Sequence, residues 1–383
     1  MKISLFPCLL IPVIMANSCS GRHEGRLETK LSQSSDAVIY AERFTLLATD
    51  TCTILTISEP WQGAAGIRQK YYLVKKGSGL RLMIDSSQLI LVPVCRIICM
   101  STTHVEMIKA LGESNSIVGV SGTDFIFDAD ISERIGKGLI SDIGYEAGMN
   151  NELIIKSSPD LVMMYGIGSE SAGYTSKITE LGIKVMFNAD YLETNPLGKA
   201  EWIKVFGALY CREKMADSIF SDISESYDEM TEYIRDNAKN RPTVLLGLPF
   251  RDTWYISPGN SYISQLIKDA GGSYLWESTE SSVSMPLGLE NVFMRSRKAD
   301  YWLNTGSVTS KSEILSLDPR LGSIPPFSRG NIYNNNKRVT AGGGNDYWES
   351  GTLKPHIILK DIAAILHPGI FGNYETVYYR KIE

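Results

Sequence analysis

From Cys95 onward the chain repeats one order, strand then loop then helix, and does so on both sides of a single long amphipathic segment. "CRIICMS" reads as a buried strand, "THVEMIKALG" as a helix closed by glycine and "SIVGVSG" as the next strand. Helix "NNELIIKSS" leads to strand "PDLVMMYG", and helix "SKITELG" to strand "IKVMFN". Past residue 240 the order returns with strand "TVLLGLPF", helices "SYISQLIKDAGG" and "GLENVFMRSRKA", strand "DYWLNTG", and helix "SEILSLD" before strand "GNIYNNN". Such alternation commits a chain to mainly parallel sheets layered with helices. The halves also share a glutamate at a helix start, Glu152 and Glu290, and an aspartate opening the strand that follows, Asp160 and Asp300. Two similar α/β lobes are expected.

Between them, Met215, Ile219, Phe220, Ile223, Tyr227, Met230 and Ile234 recur at steps of three and four, which predicts one apolar stripe on a long helix interrupted near Cys211. A helix of some 25 residues spans about 37 Å, so the lobes are joined by a rod. Ahead of the lobes, "FTLLATDTCTILTI" and "KYYLVKKG" are rich in Thr, Tyr and Val and read as short strands. The expected layout is an export segment over 1–19, a tether and β-rich region over 20–94, a first lobe over 95–195, the interlobe helix region over 196–240, and a second lobe with a closing helix over 241–383.

The export segment has Lys2, an apolar run from Ile3 to Met15, then Ala16, Asn17 and Ser18 before Cys19. The run is short for a membrane span, and the small residues before Cys19 are similar to a bacterial lipobox with Ala16 in place of its usual leucine. Acylation of Cys19 and plain cleavage are the two readings, and the spacing favours the first. With 43% hydrophobic residues the 383-residue chain can bury a large core. A net charge of −5, with no basic run longer than a pair, offers nothing to a nucleic-acid backbone. Cys52, Cys95, Cys99 and Cys211 form no Cys-x-x-Cys pair and read as buried thiols.

An enzyme would leave a constellation, and none stands in the sequence: no Gly-x-Ser-x-Gly elbow, no phosphate loop, no His-Glu-x-x-His. Gly166 and Gly168 make only half of a dinucleotide fingerprint. His23, His104, His356 and His367 are too few and too scattered for an imidazole metal cage. The loops after the strands instead supply hydroxyls, amides and aromatics: Thr102, Thr103 and His104; Thr123 and Phe125; Tyr145 and Tyr165; Phe250, Arg251 and Trp254; Asn304 and Thr305; and Asn345 to Trp348 with Tyr347 between. Ligands of α/β sheets bind outside the carboxyl ends of the strands, so two lobes presenting such loops make a cleft for a bulky, flat or chelated ligand.

"CRIICMSTTHVEMIKALGESNSIVGVSG", "NNELIIKSSPDLVMMYG", "NPLGKAEWIKVFGAL", "SYISQLIKDAGGSYLW", "LENVFMRSRKADYWLN" and "NDYWESGTLKPHIILKDIAAILHPGIF" together resemble the Fe/B12-type periplasmic substrate-binding proteins of ABC importers over about residues 95 to 371. The resemblance implies a monomeric, non-enzymatic carrier with no resident cofactor. It would capture an iron-siderophore, haem or cobalamin between two lobes and deliver it to a membrane permease. It also implies that Glu152 and Glu290 meet arginines of that permease. Cobalamin binders of the family carry a tryptophan just upstream of each such glutamate. Here Tyr145 and Glu146 precede the first, and Ser284 and Met285 the second, a departure that favours an iron complex. The rival readings are a corrinoid carrier, an exported α/β enzyme, and a scaffold subunit without a ligand.

Overall fold

The computed structural model describes residues 38–78, 84–145, 148–166 and 171–383. The export segment with Cys19, His23, Glu146 and Gly168 lie outside them. Among the described residues no helix is long and apolar enough to cross a membrane.

The β-rich start is one four-stranded sheet of β1 (Phe44–Ala48), β2 (Thr53–Ser58), β3 (Arg68–Lys75) and β4 (Leu89–Val92). The strands lie in that order, antiparallel except for the parallel β3–β4 pair. Alternation sends Leu55 and Ile57 of β2, and Tyr71 and Leu73 of β3, into the core. Two buried carboxylates hold the entry to this sheet. Glu201 accepts hydrogen bonds from the amides of Ile39, Tyr40 and Ala41 at 2.7–3.1 Å, and Glu193 from those of Glu42 and Arg43 at 2.9 and 3.1 Å.

The first lobe is a parallel sheet of β5 (Ile97–Cys99), β6 (Ile117–Val120), β7 (Ser141–Asp142), β8 (Leu161–Met164) and β9 (Val185–Phe187), ordered β7-β6-β5-β8-β9. Its helices are α1 (Thr102–Ala110), α2 (Ala129–Gly136), α3 (Asn151–Ser157) and α4 (Ser171–Glu180). Strands β5, β6 and β8 are buried along their whole length, as a sheet covered on both faces requires. The crossover follows as α5 (Pro196–Glu201), α6 (Ile203–Tyr210) and α7 (Glu213–Asn237). The expected interruption is at Cys211, left-handed at φ 55°, and α7 runs for 25 residues. Phe220, Ile223, Tyr227 and Ile234 are buried along it, whereas Met215 in its first turn is 45% exposed.

The second lobe orders β12 (Ser273–Tyr274), β10 (Thr243–Leu246), β14 (Tyr301–Leu303), β15 (Ile332–Asn334) and β16 (Arg380–Lys381), the last antiparallel to β15. An antiparallel ribbon of β11 (Thr253–Ile256) and β13 (Met285–Gly288) stands beside it. Helices α8 (Tyr262–Asp269), α9 (Leu289–Ser296), α10 (Lys311–Leu317), α11 (Pro325–Arg329) and α12 (Pro355–Leu366) complete the lobe. The closing helix α12 buries Ile358, Leu359, Ile362 and Ile365 and leaves Ile357 half-buried.

The shared aspartates have one role in both lobes. The Cys95 amide donates to Asp160 Oδ2 at 2.7 Å while the Asp160 amide donates to the Arg96 carbonyl at 2.8 Å. The Thr243 amide donates to Asp300 Oδ2 at 3.0 Å while the Asp300 amide returns to the Thr243 carbonyl at 2.9 Å. Each aspartate locks the amino ends of two neighbouring strands. The cysteines differ from expectation: all four are free, but only Cys99 is buried, Cys52 and Cys211 are half-buried, and Cys95, which lies before β5, is exposed.

Candidate functional site

The carboxyl end of the first lobe's sheet opens onto a pocket of about 260 Å³ closed over by a loop of the second lobe. Thr102 begins α1 directly after β5, with Ser101 as its cap, its hydroxyl accepting from the Thr103 amide at 3.3 Å. Ser121 follows β6, Phe125 lies in the short 3-10 turn beyond it, Tyr145 comes after β7 and Tyr165 after β8. Gly343, Asn345 and Trp348 reach in from the second lobe. Phe125 and Tyr145 meet edge to face with centroids 5.9 Å apart. Gly122, at φ 72°, permits this, because a Cβ there would come within 2.7 Å of both Phe125 and the Tyr145 hydroxyl.

The lobes touch at the rim of this pocket. The Thr102 hydroxyl donates to the Trp348 carbonyl at 3.4 Å, and the Thr340 hydroxyl to the Asp124 carbonyl at 3.3 Å. Gly342 and Gly344 let the loop approach, since a Cβ on either would fall 2.8 or 2.7 Å from the carbonyl oxygens of Asp124 and Phe125. Glu349, buried on the second lobe, accepts from the Phe127 and Asp128 amides of the first, both at 2.8 Å. Burial pushes its carboxyl up to about 7, against the lowering effect of the two amides, and the nearby Glu106 and Asp128 carboxylates push the same way.

Among the described residues, none of the side chains lining the pocket is charged, and they offer ring faces, hydroxyls and one amide. Such walls bind by stacking and a few directed hydrogen bonds. At about 260 Å³ the space lies just below the roughly 300–1,000 Å³ usual for small-molecule sites. Among the described residues no group of three or more His, Cys, Asp and Glu side chains is placed to hold a metal ion. A larger depression, about 840 Å³, lies by Lys239, Arg241, Asp300 and His367 at the amino ends of β10 and β14, the end of an α/β sheet that ligands do not ordinarily use.

Of the residues singled out in the sequence, Thr102, Phe125, Tyr145, Tyr165, Asn345 and Trp348 come together here. The others do not line the pocket. His104 is fully buried in α1 against Phe206, neither ring nitrogen has a hydrogen-bond partner, and desolvation with the Lys199 charge pushes it down to about 3. Thr103 is buried beside it, and the Thr123 hydroxyl donates to Asp142 at 3.2 Å. Trp254 is fully buried because alternation along β11 turns it inward with Ile256, and its indole donates to the Leu246 carbonyl at 2.9 Å. Tyr347 is buried among Tyr378 and Tyr379, and Asn304 accepts from the Tyr379 hydroxyl at 2.8 Å. Thr305 is fully buried. Phe250 and Arg251 stand exposed at the tight turn before β11. Ser121 and the glycine run 342–344 were missed by the sequence reading. Ser121 holds the post-strand position that Thr102 holds after β5, and three glycines just before "NDYW" are a signal of close backbone approach.

Glu152 and Glu290 are exposed in the first turns of α3 and α9, where a carboxylate favours the helix amino end. Glu290 pairs with Arg320 at 3.1 Å.

Comparison with known proteins agrees with this architecture. Residues 97–338 match the family model described as periplasmic binding protein. An uncharacterized lipoprotein of Methanocaldococcus jannaschii is 27% identical over 306 residues, covering 78% of this chain and 71% of its own. A possible iron-binding periplasmic solute-binding protein from Staphylococcus epidermidis superposes with a TM-score of 0.55 at 18% identity, covering 72% of this chain and 99% of its own. A periplasmic haem-binding protein from Pseudomonas aeruginosa gives 0.55 at 15%, covering 76% and 98%. Two wound lobes, a long crossover helix and a family match across both lobes lead to one conclusion: the chain belongs to the periplasmic binding protein family.

Proposed function

We propose that the protein is an exported, lipid-anchored carrier that captures an iron complex, a siderophore or haem, in the cleft and delivers it to an ABC permease, without catalysing a reaction. The observation that carries this reading is the pocket at the carboxyl end of the first sheet, whose described walls are uncharged and aromatic, with Phe125, Tyr145, Tyr165 and Trp348. Aromatic faces suit a flat or chelated ligand whose charge is compensated internally. The iron-binding and haem-binding solved neighbours support the direction. The relative called a lipoprotein supports acylation at Cys19. Glu152 and Glu290, one exposed on each lobe, are the proposed contacts for the permease.

The test is calorimetric titration of the processed protein with haemin, ferrioxamine B and cyanocobalamin. Saturable binding of haemin or ferrioxamine B, weakened by Trp348→Ala, is expected. Tight binding of cyanocobalamin alone would reassign the cleft to corrinoids, and no saturable binding of any of the three would sink the carrier reading.

A further inference from the structure

We propose that the sheet ahead of the first lobe is part of the binding apparatus: its β2–β3 turn, through Trp61 and Gln62, sets the position of the Tyr165 wall of the cleft. The proposal rests on reading that cleft as the ligand site. The family match begins at residue 97, so neither Trp61 nor Gln62 lies in the segment that carries the family likeness.

The contact runs through named groups. The Trp61 ring packs on Phe187, the last residue of β9, with centroids 5.0 Å apart. Phe187 is paired in register with Met164, the last residue of β8. One residue beyond Trp61, the Gln62 amide donates to the Gly166 carbonyl at 3.2 Å and to the Tyr191 hydroxyl, also at 3.2 Å. The Tyr191 hydroxyl donates in turn to the same Gly166 oxygen. The Tyr191 ring meets Tyr165 edge-on at 6.3 Å.

Tyr165 and Gly166 follow β8 at the point where the chain leaves the sheet, and ladder bonding there no longer fixes the backbone. The carbonyl immediately after Tyr165 is instead held by two donors, one from the preceding sheet and one from the loop after β9. Fixing that carbonyl and bracing the Tyr165 ring removes freedom that would otherwise be lost on binding, which is preorganisation supplied from outside the lobe. The support is itself fixed, because Glu193 and Glu201 hold the entry to the sheet through five successive amides. Trp61, Gln62 and Tyr191 are absent from the pocket wall, so they are positioning residues.

The experiment places 3-fluorotyrosine at Tyr165 in the processed protein and follows its ¹⁹F resonance, with haemin and ferrioxamine B affinities measured alongside. Trp61→Ala and Tyr191→Phe are expected to shift or broaden the resonance in the absence of any probe. They should also weaken the better-bound probe about fivefold, the scale of one neutral hydrogen bond. Trp61→Phe should restore both, and Tyr191→Phe should melt with the wild type. An unmoved resonance in Trp61→Ala and Tyr191→Phe overturns the proposal whether or not a probe binds. A moved resonance with unchanged affinity overturns its link to binding. A moved resonance in a protein that binds neither probe upholds the positioning and sinks the carrier reading instead.

Discussion

The two lobes share a winding and a strand-locking aspartate, yet they use the carboxyl ends of their sheets differently. In the first lobe the groups after β5, β6, β7 and β8 face open space and form most of the pocket wall. In the second, Trp254 and Trp302 lie together at 5.9 Å between centroids, and their indoles donate to the Leu246 and Gly247 carbonyls at the end of β10. Both rings are fully buried, so the corresponding end of that sheet is plugged. Among the described residues, the second lobe reaches this pocket through the loop carrying Gly343, Asn345 and Trp348. Two similarly wound sheets can thus differ in role, one presenting a surface and the other covering it.

The largest effect that tests this division is on stability. Trp302→Ala should cost about 3–5 kcal/mol by opening a core cavity, whereas Tyr165→Ala should lose probe binding with little change in a urea melt. Equal stability losses from the two would break the comparison.

Glu349 comes next, where the covering loop meets the first lobe. Its carboxyl is raised to about 7 from an unfolded value near 4.5, so between those values the native protein holds a proton that the unfolded chain has released. Its contribution is therefore full below about 4.5 and falls away as pH rises through 7, by on the order of 3 kcal/mol. His104 works in the opposite direction: lowered to about 3, it withdraws stability as pH falls below its ordinary value of 6.5. The wild-type minus Glu349→Gln difference in urea stability isolates the first effect, and a pH-independent difference would remove Glu349 from the account.

Asp160→Ala and Asp300→Ala should each cost about 1–2 kcal/mol through lost charge-assisted bonds to strand amides. Similar values would sharpen the symmetry, and a loss confined to one lobe would limit the shared role to that lobe. In the isolated protein the smallest effect belongs to Glu152→Ala with Glu290→Ala. Melting and probe affinity should be unchanged while cellular uptake of radiolabelled iron chelate falls, and normal uptake would refute the permease contacts.

Alternation and the long apolar stripe made the lobes, the crossover and the closing helix readable in the sequence, because periodicity reports which face of an element is buried. The lining of the candidate pocket was readable only in part. Thr102, Tyr145, Tyr165 and Trp348 stand at the pocket as residues of loops, as expected for loops gathered at the carboxyl edge of a sheet. The rule fails for Trp254, which looks like a loop aromatic but belongs to the inward face of "TWYI". Tyr347 and Trp348 are adjacent and chemically alike, and only tertiary packing decides that the first joins the core while the second is 48% exposed. His104 defeats the reading for a similar reason: a polar residue near a helix start is expected in water, and here it faces Phe206.

The clamp of Glu193 and Glu201 on the amides of Ile39 to Arg43 also has a mechanical meaning. A chain pulled from its amino-terminal side loads those five amides first. The load passes to the loop before α5 and to α5 itself, at the crossover between the lobes. Tension from that side would therefore enter the molecule at the crossover between the lobes and not through the loops that line the pocket.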